Sequence, residues 1–302
     1  MSQKVLITGG SGFIGQKLSA LLLKKGFEVA WLSRNAGEKS NIKIYAWDLK
    51  KQHIDEKAFE NVAYIVHLAG AGIADERWTD VRKKELIDSR IESTKLLLTY
   101  VQKLKIKPKA FVSSSAIGYY GGDAGNTVHD DFSNAGHDFL AAVCIKWEAE
   151  AQLFTNNAIR TVCVRTGIVL DRKNGALPKL ALPINWGVGT YLGDGNQWMS
   201  WIHWADLCEI YAKAIEDEHF SGAYNAVAPN PATNKIFSET LAKQLNRWIL
   251  PLYAPGFLFK IIFGEMGVVV TGSSHVLCKR LSETDFHFKF RTLEEALKDI
   301  YN

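Results

Sequence analysis

Three glycines at three-residue spacing, Gly9, Gly12 and Gly15, lie in the run TGGSGFIG. Before it comes a short apolar stretch, Val5–Thr8; after it, Ile14, Leu18, Leu21 and Leu22 mark one helical face. A strand, a glycine turn and a helix in that order suit a pyrophosphate. The anion needs a tight turn, a backbone without Cβ atoms and helix N–H groups aimed at it. Phe13 and Ile14 complete the turn into the helix, and Gly15 lets that helix pack close to the sheet. The alternative is an ordinary glycine turn, and the strand–turn–helix context favours a dinucleotide.

The end of the second strand selects the cofactor. NAD sites usually place Asp or Glu there, about 20 residues past the loop, on the ribose 2′-hydroxyl. This chain has Ser33 and Arg34 instead. A carboxylate would repel a 2′-phosphate, whereas a guanidinium and a hydroxyl can bind one. The expected cofactor is NADP(H), with Arg34 as its main charge partner; the alternative for Arg34 is a solvated surface cation.

These groups need a scaffold, and the patterning predicts one. Strand-like runs recur at Glu28–Ser33, Ile42–Trp47, Ala63–Ala69, Ala110–Ser114 and Ile159–Arg165, with helical stretches over Glu76–Leu104 and Phe139–Thr155. Strands alternating with helices imply βαβ units, hence an α/β fold: a Rossmann-type doubly wound parallel sheet covered on both faces. After Leu170 the texture changes to Gly, Pro and Trp. Trp204–Ile215 then reads as helix, Ala223–Val227 as strand, and Phe237–Leu245 as helix with Thr233 or Asn234 as N-cap. We expect a nucleotide-binding domain from residues 1–170 and 203–228, and a smaller C-terminal substrate lobe from 171–202 and 229–302.

Bulk properties narrow the class. The 302 residues suffice for a large core, and 47% hydrophobic with 23% charged content is ordinary for a globular chain. A net charge of +4 without a basic patch argues against nucleic acid or an anionic membrane. Cys144, Cys163, Cys208 and Cys278 lie far apart with no C-x-x-C spacing, which argues against zinc and disulfides and for a reducing, cytoplasmic setting. No signal-peptide pattern precedes the first strand. The apolar stretch Phe257–Val270 is interrupted by Lys260, Gly264 and Glu265 and falls short of the ~20 residues that span a bilayer.

Further stretches carry a family resemblance. TGGSGFIG, Asp48-Leu49, Leu68-Ala69-Gly70, Ser113-Ser114-Ser115 followed by Tyr119-Tyr120-Gly121, Trp201-Ile202-His203 ahead of Asp206-Leu207, and Tyr224-Asn225 resemble the extended short-chain dehydrogenase/reductases. AGIADERWTDVRKKELIDSR, SAIGYYG, RTGIVL, GNQWMSWIHWADL and NAVAPNPATN are similar to the atypical branch called epimerase family proteins, the NAD-dependent epimerase/dehydratase type. The resemblance covers nearly the whole chain. It implies bound NADP(H) and a small-molecule substrate. It also implies that Asp48 contacts the adenine and that Leu68, Ala69 and Gly70 line the cofactor. Arg90 stands where typical members have an asparagine, on a helix flanking the cofactor, where it can hold a phosphate. Glu85 on the same helix can accept from the adenine amino group. For both, the alternative is a surface helix charge.

The same resemblance exposes a gap. Typical members use a Tyr-x-x-x-Lys pair on the helix after the fifth strand: Tyr exchanges a proton with the substrate, and Lys, on the same face, lowers the Tyr pKa and contacts the ribose. Ser115 fits the serine that orients the substrate. Counting back by fours from Glu148 gives Cys144 for Lys and Leu140 for Tyr. Lys146 is about 200° around the helix from Cys144 and should point away. Cys144 on an apolar face reads as a small buried hydrophobe, with a thiolate as the alternative. Tyr119 and Tyr120 can offer a phenol from another direction, or serve only in packing or backbone anchoring. His203 can act as acid or base, or be a hydrogen-bonded structural residue. Asp138 reads as an N-cap. Trp198, Trp201, Trp204 and Trp186 are expected to wall a cleft for a ring-bearing ligand, with core packing as the alternative. Two functions remain open: an NADP(H)-dependent oxidoreductase or epimerase with a displaced proton donor, or a non-catalytic NADP(H)-binding sensor or assembly factor. The expected assembly is a monomer or homodimer.

Overall fold

The computed structural model describes residues 2–187, 189–254 and 264–302. Residues 257–263 of the apolar stretch Phe257–Val270 therefore lie outside the described residues. A nine-stranded sheet organises the chain. Its seven parallel strands are β1 (Lys4–Thr8), β2 (Glu28–Ser33), β3 (Ile42–Asp48), β4 (Val62–His67), β5 (Ala110–Ala116), β6 (Arg160–Thr166) and β7 (Gly222–Ala226). Gly37–Lys39 and His53–Ile54 pair antiparallel with β3 at the edge. The spatial order is β7-β6-β5-β4-β1-β2-β3. The chain thus builds outward from β1 in one direction and restarts at β4 in the other. The crevice between β1 and β4 is the switch point where such sheets bind ligands.

Burial explains the strand sequences. All five residues of β1 are buried, with Val5, Leu6 and Ile7 fully so. A parallel strand covered on both faces reads as a continuous apolar run. One face packs on α1 (Phe13–Lys24) and α5 (Trp204–Glu216), through Leu18, Leu22, Leu207, Ile210 and Tyr211. The other packs on α2 (Asp80–Lys103) and α3 (Phe139–Gln152), where Leu97, Phe111 and Phe154 meet, the two phenyl rings stacked 3.7 Å apart.

Capping chemistry sets the helix limits. The predicted helix from Glu76 starts instead at Asp80, because Thr79 accepts from Arg82 N at 3.2 Å and ends the preceding loop. Asp138 caps α3: Oδ1 accepts from Ala141 N at 2.9 Å, and Oδ2 also accepts from Gly122 N at 2.6 Å, tying the loop after β5 to the helix start. Helix α3 ends at Gln152, followed by a 3-10 turn over Thr155–Asn157.

A separate core is built from α4 (Leu177–Asn185), α6 (Asn234–Gln244) and α7 (Leu293–Tyr301), with Trp201, Phe237, Leu241 and Leu297 at its centre. Thr233 caps α6. The segment 229–302 does not pack as one body in this lobe: Val276, Cys278 and Leu281 join the sheet's own core. Arg280 fastens that return, its guanidinium donating to the carbonyls of Ala223 and Ser221 at 2.6 and 2.9 Å.

Candidate functional site

The glycine turn forms a closed cradle. Gly9 has φ +69°, the left-handed region that favours glycine, and a Cβ there would sit 3.0 Å from Ala69 N. A Cβ on Gly15 would run into the backbone of Gly9 and, at 2.6 Å, Gly10 Cα. Gly12 is the N-cap of α1, without a side-chain cap and without an acidic residue in the first turn. Among the described residues, the N–H groups of Phe13, Ile14 and Gly15 thus have no side-chain acceptor, and no acidic residue of the first turn offsets the positive end of the helix dipole. This is the geometry a pyrophosphate fits.

Around the cradle a buried network fixes the start of the next loop. His67, at the end of β4, is fully buried between Thr8 Oγ1 (2.6 Å from Nδ1) and Ser93 Oγ (3.0 Å from Nε2). Ser93 Oγ donates to Ser89 O at 2.6 Å, which puts the imidazole proton on Nε2 and makes Thr8 the donor to Nδ1. Thr8 Oγ1 in turn accepts from Leu68 N and Ala69 N, both at 3.2 Å. Burial and, secondarily, the Arg90 charge lower the His67 pKa to about 3. The ring is a neutral strut. It was missed in the sequence, where it is a lone histidine ending an apolar run.

On the outer side of β1, Ser33 is half-buried and Arg34 exposed at the end of β2. Asp48, at the end of β3, accepts from Lys50 N and Lys51 N at 2.9 and 3.1 Å through one oxygen, leaving the other open. Glu85 is exposed on α2 and paired with Arg82 at 2.7 Å. Arg90 is buried beneath Gly70.

At the C-terminal end of β5 the polar groups are largely committed. Ser115 Oγ donates to Glu148 Oε1 at 2.7 Å. Glu148 also binds Arg165 in a bidentate pair, Nε to Oε1 and Nη2 to Oε2, both at 2.8 Å. Arg165 Nη1 donates to Tyr120 Oη at 2.9 Å. Burial pulls the Arg165 pKa down, but its bonds and charge interaction with Glu148 prevail and hold it above its ordinary value. Tyr120 Oη lies 2.8 Å from both Asn225 Oδ1 and the Asp130 carbonyl, and burial pushes its pKa up to about 12. Tyr120 is an anchor.

Tyr119 differs. Its ring lies flat against the Arg165 guanidinium, 3.4 Å from centroid to Cζ, while its hydroxyl makes no hydrogen bond to the described residues. Leu140 and Cys144 face the same loop: a Cβ on Gly118 would stand 3.3 Å from Leu140 Cβ and 3.8 Å from Cys144 Sγ. Burial raises the Cys144 pKa to about 12, so the thiol stays protonated. Lys146 is exposed, away from the site.

Residues 5–226 match the family model described as NAD dependent epimerase/dehydratase, and residues 254–300 match a domain of unknown function, DUF1731. The chain belongs to the NAD dependent epimerase/dehydratase family. It is similar to the epimerase family protein YfhF of Bacillus subtilis (strain 168), 36% identical over 300 residues, 98% of this chain and 97% of that one. The crystal structure of human epimerase family protein SDR39U1 with NADPH is 34% identical, with a TM-score of 0.89 and 99% coverage of each chain. UDP-glucose 4-epimerase of Thermotoga maritima, solved with UDP-glucose, shares the fold at 19% identity, a TM-score of 0.79 and coverage of 99% and 97%.

Two expectations for this epimerase-family chain need correction. His203 is not brought to Ser115 and Tyr119. It is buried at the start of α5, where Nδ1 accepts from Ala205 N at 3.1 Å, and its ring packs 3.9 Å from Phe290. The tryptophans do not form one wall. Trp201 is buried in the lobe core, Trp204 packs over Lys17 of α1, and Trp186 is 73% exposed. Only Trp198 of the four lines a cavity of about 1030 Å³, together with Asp123, Asp194, Gln197, Glu265 and Val268. Val268 connects this cavity to the site, since a Cβ on Gly122 would stand 2.9 Å from both Val268 and Leu140. Among the described residues, no helix is long and apolar enough to cross a membrane.

Proposed function

We propose that this chain is an NADP(H)-dependent oxidoreductase or epimerase of a small molecule, with the proton-exchanging group moved off α3. The observation that carries the cofactor assignment is the cradle at Gly9–Gly15, whose backbone approach leaves no room for a Cβ. Arg34 and Ser33, with no carboxylate beside them at the end of β2, favour the 2′-phosphate over a free ribose hydroxyl. The NADPH in the human relative supports the same choice. Asp48, Leu68, Ala69 and Gly70 would border the adenosine and ribose.

Bound NADP(H) supplies or accepts the hydride. The protein must hold the substrate and exchange its proton. Tyr119 is assigned the proton, because its phenol is uncommitted whereas that of Tyr120 is not. Ser115 is assigned a positioning role: its own proton goes to Glu148, so its oxygen can accept from a substrate hydroxyl. The cavity beside Val268 has room for a small polar or ring-bearing substrate, with Trp198 on its wall. Four buried free cysteines support a cytoplasmic setting.

A non-catalytic NADP(H) sensor is the second reading, favoured by Leu140 and Cys144 at the Tyr and Lys positions. The test is titration with NADPH and NADH, then turnover of ketones, quinones and nucleotide sugars followed by nicotinamide absorbance. We expect NADPH preference that Arg34→Glu abolishes, and turnover that Tyr119→Phe and Ser115→Ala reduce. Unchanged NADPH affinity in Arg34→Glu would sink the cofactor assignment. NADPH binding without turnover across the panel would favour the sensor.

A further inference from the structure

Arg90 is a buried cation without a counter-charge. Only 9% of it is exposed, and no carboxylate among the described residues pairs with it. Nη1 donates to Leu86 O, one turn back on its own helix, at 2.8 Å. Nε is buried with no partner, and Nη2 has none among the described residues. Burial lowers its pKa, yet a guanidinium starts so high that it stays charged. A buried charge left unpaired is costly and is retained where a partner arrives.

Its surroundings say which partner. The guanidinium lies between Gly70 and Trp147: a Cβ on Gly70 would stand 3.3 Å from Cζ, and Cζ is 4.8 Å from the Trp147 ring centroid. Trp147 Nε1 is a second buried donor without an acceptor. Cys144 precedes Trp147 by three residues on the same face of α3, and its neutral thiol offers no counter-charge. A line of contacts therefore runs from Gly9 to Ala69, on to Gly70, then Arg90, and ends at Trp147, one turn from Cys144 on α3. It leads from the pyrophosphate cradle to the position where related sites keep their lysine. The pyrophosphate already has its donors at the N-terminus of α1. Arg90 stands one strand further along, on the side of β5 and α3.

We propose that Arg90 does from α2 the work that a lysine at position 144 would do from α3, its open edge donating to the hydroxyls of the nicotinamide-side ribose of NADP(H). This rests on the NADP(H) reading above. The short Cys144 side chain leaves that place to the guanidinium. Arg90 thereby fixes the end of the cofactor that exchanges hydride.

The test compares two ligands on Arg90→Gln and the unsubstituted protein by calorimetric titration. NADPH carries the second ribose; adenosine 2′-phosphate 5′-diphosphate carries every phosphate but no second ribose. Loss of charge-assisted hydrogen bonds predicts NADPH affinity about tenfold to a hundredfold weaker, with the nucleotide fragment bound as before. The thermal midpoint of the ligand-free variant should fall little, since the guanidinium has no counter-charge among the described residues there and its bond to Leu86 O is a single contact within its own helix. Equal weakening toward both ligands would make Arg90 a phosphate ligand and overturn the proposal. Unchanged affinity for both, or a lowered ligand-free midpoint with both affinities falling together, would make it structural and also overturn it. Failure of the unsubstituted protein to bind NADPH would instead strike the cofactor reading itself.

Discussion

Glu148→Gln is expected to be among the most damaging single substitutions outside the apolar core. The carboxylate accepts three hydrogen bonds, one from Ser115 at 2.7 Å and two from Arg165 at 2.8 Å. The paired side chains are only 6% and 12% exposed. Glutamine keeps the shape but removes the charge, and its amide turns one acceptor into a donor facing another donor. Arg165 would keep Tyr120 Oη at 2.9 Å and a marginal 3.5 Å contact to the Asp131 carbonyl, neither of them charged. Breaking a buried pair from one side costs about 3–5 kcal/mol, a large share of a typical stability of roughly 5–15 kcal/mol. Replacing both partners, as Glu148→Leu with Arg165→Met, leaves no orphaned charge. It should recover part of the loss, falling short by about 1 kcal/mol each for the Ser115 bond and for the Arg165 bond to Tyr120 Oη. Urea unfolding followed by tryptophan fluorescence measures all three proteins. A single substitution within about 1 kcal/mol of the parent would mean the pair is screened like a surface bridge. A double variant as unstable as the single one would mean that the lost contacts, and not the stranded charge, set the cost.

Three other outcomes follow from the geometry. Gly15→Ala presses a Cβ onto the Gly9 and Gly10 backbone, so NADPH affinity should drop at least about tenfold while circular dichroism stays native; unaltered affinity would show that the loop can shift without loss. His67 and His203 have pKa values lowered by burial to about 3 and about 4, against 6.5 for a free imidazole. Between those values the unfolded chain binds protons that the folded one does not, so stability is full above the unfolded pKa. It should fall by about 1.4 kcal/mol per pH unit for each ring as pH drops; urea midpoints flat from neutral pH to about pH 5 would contradict this. All four cysteines are buried, and burial raises the pKa of each. A thiol reagent at neutral pH should therefore find no fast-reacting group in the native protein and four after unfolding; one rapid native thiol would point to a reactive cysteine.

Some of this was legible because the constraint is local. Gly9 needs its φ of +69° and Gly15 must clear the backbone of Gly9 and Gly10, constraints contained within a few residues. The buried face of α3 shows in its 3.6-residue period, and Asp138 and Thr233 show as caps. Other features depend on contacts the chain makes far from itself. Arg165 was hidden because its partner lies 17 residues away on another element; the available signal was a cation inside an apolar strand, which needs a carboxylate. Arg90 and Glu85 are both charges on α2, and only the packing of α2 against α3 buries one and exposes the other. The three-residue spacing of Trp198, Trp201 and Trp204 misled, since the residues belong to two short strands and the first turn of α5. A spacing rule has meaning only within one element.

Leu140 and Cys144, at the positions the resemblance gives to the tyrosine and lysine, have a physical consequence. Leu140 packs toward Gly118, Gly122 and Val268, and Cys144 is a neutral, buried thiol, so this face of the helix is an apolar floor. A floor whose one proton sits on a buried thiol, its pKa raised to about 12, is poorly suited to proton exchange with a substrate hydroxyl, and the polar groups around it are nearly all engaged: Ser115 with Glu148, Tyr120 with Arg165 and Asn225. Arg90 and Tyr119 stand at the site with unspent hydrogen-bonding capacity, one a cation and one a phenol. Those are the two kinds of group that the missing lysine and tyrosine would have supplied. A binding protein needs only the cation, to hold the cofactor. An enzyme needs both. The response of turnover to Tyr119→Phe, with NADPH affinity preserved, is therefore the observation that divides the two functions.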